Sequence, residues 1–172
     1  MMRARWVAAV MLGAVVLMGA APRDVLAKKK PKGKMSAKLD GKAFKSKAVV
    51  VTHIGTSFGV SGGTAPRSLR IGTLIRTIGF LCEVDLGTLT PPATLTQASS
   101  QCGAQYVETH LGVPTQKRWQ SSALSVTFTK VAGRIVQGQF EGTFPPTSDH
   151  AGDPTHTVTK GKFSIVLAGA GT

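Results

Sequence analysis

From Leu124 to Phe128 the chain reads LSVTF, with Leu124, Val126 and Phe128 pointing one way and Ser125 and Thr127 the other. The same two-residue period runs through Phe80, Cys82, Val84 and Leu86, through Leu69, Ile71, Thr73 and Ile75, and through Phe163, Ile165 and Leu167. Strict alternation means one buried face and one wet face, which is the pattern of antiparallel sheets. The β-branched run Val49-Val50-Val51 suits a strand better than a helix. Turn signals separate these stretches: Asp40-Gly41, Gly62-Gly63, Pro91-Pro92, Gly133, Pro145-Pro146 and Gly152-Asp153-Pro154. The expected fold is all-β: one antiparallel β-sandwich or barrel-like domain of about eight strands.

What precedes the strands is of another kind. Residues 1 to 6 carry two arginines, Val7 to Ala21 is an unbroken apolar run, and Val25-Leu26-Ala27 places small residues where a signal peptidase reads. The run is short for a membrane span, which needs about 20 apolar residues. Residues 1–27 therefore read as a cleavable secretory signal peptide, with an uncleaved anchor as the alternative, because lysines crowd the exit side of the run. After processing no transmembrane segment is expected. The expected location is exported: periplasmic, cell-surface or extracellular.

Charge is concentrated next to that segment. The whole chain of 172 residues carries a formal net charge of +13, and residues 28–47 alone hold nine lysines against Asp40. Residues 28–35 read as a flexible arm rich in lysine, residues 36–168 as the β domain, and 169–172 as a C-terminal tail. Lys28, Lys29, Lys30, Lys32 and Lys34 are the candidate contacts to an anionic surface, through counterion release. The arm lacks the interleaved aromatics and arginines of single-stranded nucleic-acid sites, so no sequence-specific nucleic-acid binding is expected. It is either a solvated tether or an electrostatic grip. Its partners would be an anionic envelope polymer, lipid headgroups or another protein.

Cys82 and Cys102 are the only cysteines. In an oxidising compartment a lone pair of thiols reads as one disulfide, and neither belongs to a C-x-x-C zinc motif. Asp149, His150, Asp153 and His156 fall within eight residues and are weak candidates for a metal, although a polar turn explains them as well. Ser148, Asp149 and His150 spell a hydrolytic triad, but adjacency is not triad geometry. The glycines of Gly59 to Thr64 are followed by no lysine and no helix, so they read as a mobile loop rather than a phosphate cradle. His53 and His110 stand alone on strand-like segments. No cofactor is expected.

Two motifs carry a resemblance. Ala37 to Phe44 (AKLDGKAF) reads A-x-hydrophobic-D-G-x-x-aromatic, and Gly138 to Gly142 (GQFEG) reads G-x-F-x-G within the hairpin TFTKVAGRIVQGQFEGTF. Together with the V-x-x-G-x-F ending of HTVTKGKF and with Ala104-Gln105-Tyr106, they resemble uncharacterised exported bacterial β-sandwich domains, many of them lipoproteins. The resemblance implies a secreted, non-catalytic β-sandwich and brings no catalytic residue. The chain departs from that group in lacking a lipobox cysteine and in having the lysine arm and the cysteine pair. The expected function is a non-catalytic binding or structural protein of the cell envelope. The alternatives are an envelope protein held on anionic surfaces by its arm and, third, a small hydrolase.

Overall fold

A computed structural model describes residues 32–46, 48–64, 70–99 and 101–167. Among these residues, eleven strands form two antiparallel sheets that pack as a sandwich and do not close into a barrel. The strands are β1 (Lys32–Leu39), β2 (Lys42–Lys45), β3 (Ala48–Ile54), β4 (Ser57–Gly63), β5 (Leu74–Glu83) and β6 (Ala93–Thr96). They continue with β7 (Cys102–His110), β8 (Gln116–Gln120), β9 (Ala123–Ala132), β10 (Ile135–Phe144) and β11 (His156–Val166). One sheet has the order β2-β1-β11-β10-β9-β6 and the other β3-β4-β5-β7-β8. The count exceeds the expected eight because β2, β6 and β8 have only four or five residues, too few for alternation to register in the sequence.

The alternating residues meet between the sheets. Phe58 and Phe80 from one sheet face Phe128, Phe140 and Phe163 from the other, with ring centroids 5.2 to 6.2 Å apart. Tilted and edge-on pairs of this kind suit the ring quadrupoles. Two glycines make room for them. Gly138 lies opposite Phe163 and Gly161 opposite Phe140 on the β10-β11 ladder, and a Cβ at either position would come within 2.7 Å of the opposing ring. The G-x-F-x-G and G-x-F motifs are therefore cross-strand packing devices in which each ring covers a glycine.

Three expectations need correction. β1 begins at Lys32, so the residues from Lys32 to Met35, assigned to the arm, pair with β11 through Lys32↔Val166 to Met35↔Phe163, and Met35 is buried. Apolar Met35 has the Phe163 strand to pack on, and that contact carries the arm's last residues into the sheet. Gly59 to Gly63 is no loop: it is most of β4, paired on both sides by β3 and β5. Its glycines are there for close packing, since a Cβ on Gly62 would strike Met35 Sδ at 2.7 Å. The strand read from Leu69 to Ile75 starts only at Leu74, because Gly72 adopts φ +84° in a turn that leaves Ile71 88% exposed. Leu69 itself lies outside the described residues.

Cys82 and Cys102 form a disulfide. They sit directly opposite each other on β5 and β7, with Cα atoms 4.1 Å apart. Between them the chain crosses to the other sheet, forms β6 and returns. The bridge closes that excursion at its base.

Candidate functional site

The alternation that buries Met35, Ala37 and Leu39 of β1 turns Lys34, Ser36 and Lys38 to solvent. On β11 it buries Gly161, Phe163 and Ile165 and exposes Lys162. Strand pairing lines these outward residues into a row across the six-stranded sheet: Lys45 beside Ser36, Ser36 beside Lys162, Lys162 beside Gln139, then Thr127 and Thr94. A second row runs Lys34, Ser164, Gln137, Lys130. A shallow depression of about 630 Å³ opens over the first strands of both rows. Lys34, Lys45 and Lys162 line it with hydroxyls and amides, and no carboxylate does. The nearest acid along β10 is Glu141, which accepts the Lys160 backbone N–H at 3.1 Å.

Of the arm lysines, Lys28, Lys29 and Lys30 lie outside the described residues. Lys32 enters through its backbone, paired with Val166, and Lys34 lines the depression. The sequence thus placed Lys34 among the binding candidates for its membership of the arm. Its partners on the face, Lys45 and Lys162, were missed, because the pairing of β1 with both β2 and β11 is not written in any local pattern.

The four weak metal candidates do not converge on one point. Asp149 accepts from the Thr147 hydroxyl and lies 3.4 Å from His150 Nε2. Asp153 pairs with Lys117 Nζ at 3.0 Å. His156, on β11, is held by Asp40. Among the described residues no three His, Cys, Asp or Glu side chains gather as a metal would require. His53 ends on the exposed edge strand β3, and His110 Nδ1 lies 3.3 Å from the Gly72 carbonyl.

Asp40 and His156 form the best-connected ionic contact. Asp40 and Gly41 make the β1-β2 turn with φ of 50° and 77°, the two positive angles of a tight hairpin. That turn points the Asp40 carboxylate across at β11, where it accepts from His156 Nδ1 at 2.6 Å and from the Thr157 N–H at 2.8 Å. Burial works against the carboxylate, but the Thr157 N–H and the His156 ring outweigh it and hold its pKa below the ordinary aspartate value. The imidazole meets Tyr106 and Trp119 edge-on, at 4.9 and 4.7 Å. His156 therefore joins the two sheets. The Tyr106 hydroxyl donates to Glu108, which also takes Arg76 Nε at 3.2 Å. Burial, and then the Glu108 carboxylate, pushes the phenol well up. These groups are consumed by one another and by packing, whereas Lys34, Lys45 and Lys162 line an open face with no carboxylate among its walls.

Compared with known protein families, curated proteins and solved structures, the chain matches none. Among the described residues no helix is long and apolar enough to cross a membrane.

Proposed function

We propose that the protein is an exported, non-catalytic binding module of the cell envelope that attaches to an anionic partner through the outer face of its six-stranded sheet. The observation that carries this reading is the depression lined by Lys34, Lys45 and Lys162 with no carboxylate among its walls. Three cations held on a rigid sheet attract an anion without first being ordered. In sequence, Lys28, Lys29 and Lys30 precede β1, and Lys32 is its first residue. The apolar run before it, the small residues ahead of Lys28 and the disulfide support export.

The test is retention of residues 28–172 on immobilised dextran sulfate across a salt gradient. Replacing Lys34, Lys45 and Lys162 by serine should lower the eluting salt sharply. Replacing Lys28, Lys29 and Lys30 should lower it less. Loss confined to the arm variant would favour the grip over the face. No retention at low salt would end the anion-binding reading.

A further inference from the structure

We infer that the face recognises a linear acidic polysaccharide with one anionic group per disaccharide, lying across the strands along the row from Lys45 to Thr94. The inference rests on the anion-binding reading above and adds the ligand's class, direction and charge spacing.

The row supplies the argument. Lys45 and Lys162 stand two strands apart with Ser36 between them, so their backbones are separated by about 9.5 Å at the usual strand spacing. Cation, hydroxyl, cation is the complement of a chain in which charged and neutral sugars alternate. Past Lys162 the row turns neutral, through Gln139, Thr127 and Thr94. The Thr94 and Thr127 hydroxyls lie 2.9 Å apart. The whole row spans five strand spacings, about 24 Å, which several sugars in file would cover.

The neutral half argues for a sugar polymer over a lipid surface. A bilayer would use the lysines and leave the amide and hydroxyl positions without a specific role. A thin chain reaches both halves. The face also offers little aromatic area for stacking: Phe44, Phe128, Phe140 and Phe144 are buried, and Phe163, which borders the depression, is 3% exposed. Neutral sugars, which depend on stacking, gain little there, so charge and hydroxyl contacts must do the recognising. Glu141, displaced along β10 from Gln139, repels an anionic chain that strays from the row.

The experiment is calorimetric titration of residues 28–172 with three probes: a hyaluronan octasaccharide, with one carboxylate per disaccharide; an oligogalacturonate of equal charge, with one per sugar; and phosphatidylglycerol vesicles. The hyaluronan probe should bind about tenfold tighter than the oligogalacturonate. Lys45→Ser and Lys162→Ser should each weaken it by about tenfold, and Gln139→Glu, which sets a carboxylate in the row, should abolish it. All three changes are at exposed positions, and an unchanged melting temperature confirms the fold. Equal binding of both oligosaccharides, or indifference to Gln139→Glu, overturns the inference and leaves the anion-binding reading intact. Binding to the vesicles alone does the same, with a lipid surface as the partner. Silence from all three probes at low salt overturns both.

Discussion

Phe163 on β11 lies directly across from Gly138 on β10, so close that a Cβ on Gly138 would sit 2.5 Å from the ring's Cζ. The same Cβ would meet the Thr127 carbonyl oxygen at 2.3 Å, and that oxygen belongs to the backbone of β9. Neither neighbour can step aside cheaply. Phe163 also touches Phe58, Phe80 and Phe128, so displacing it disturbs the contact between the sheets.

Gly138→Ala and Gly161→Ala are therefore expected to destabilise the fold by about 1–3 kcal/mol each, the usual cost of overpacking. Gly103→Ala is the control. Its Cβ would meet nothing within 4 Å and its backbone is extended, so stability should stay within about 0.5 kcal/mol. Urea unfolding of the three variants checks this. Equal loss in all three would show that strand glycines matter through backbone freedom rather than through the rings.

Much of this packing was legible. The inward positions Leu124, Val126, Phe128, Phe80 and Cys82 follow from alternation alone, and the Asp40-Gly41 turn follows from its residue types. What could not be read depends on strand order. Asp40 and His156 are 116 residues apart in sequence, and Lys45 and Lys162 share one row only because β1 pairs with both β2 and β11. Gly59 to Gly63 was misjudged for a related reason. Glycine's local preference for turns is outweighed when a strand must pass close to Met35 and Leu81.

The disulfide closes a loop of sequence separation 20, and in the chain-entropy model its loss should cost about 3 kcal/mol. Both cysteines are buried, Cys82 completely. The native protein should resist alkylation until it is reduced under unfolding conditions. Mass spectrometry after iodoacetamide treatment decides the point, and two modified thiols in the untreated native protein would contradict the bridge.

Asp40 gives the fold a defined acid response. A carboxylate whose native pKa is depressed contributes stability that is complete above the ordinary aspartate value of about 3.9 and is lost as pH falls through the depressed native value. Asp40→Asn keeps a residue that tolerates the turn but removes the charge. It should cost about 1 kcal/mol at pH 7, modest because the side chain is 41% exposed and solvent screens it. The difference from the parent protein should shrink below pH 4. A penalty that is constant from pH 7 to pH 2.5 would show that the carboxylate's charge is not what holds β11.

The boundary between arm and domain predicts opposite outcomes for two truncations four residues apart. A chain beginning at Lys32 keeps every β1-β11 pair, from Lys32↔Val166 onward. A chain beginning at Ser36 loses the pairs made by Lys32, Gly33, Lys34 and Met35, and with them a methionine that is 3% exposed. Burying a methionine side chain contributes about 1.5–3 kcal/mol by its apolar area, and β11 would be left with one side unpaired over that length. Beginning at Lys32 should therefore leave the melting temperature within a degree or so of the chain beginning at Lys28, while beginning at Ser36 should lower it by several degrees, read by circular dichroism. Equal melting temperatures for the two truncations would mean that the first half of β1 does not hold the sheet together, and that residues up to Met35 belong to the arm after all.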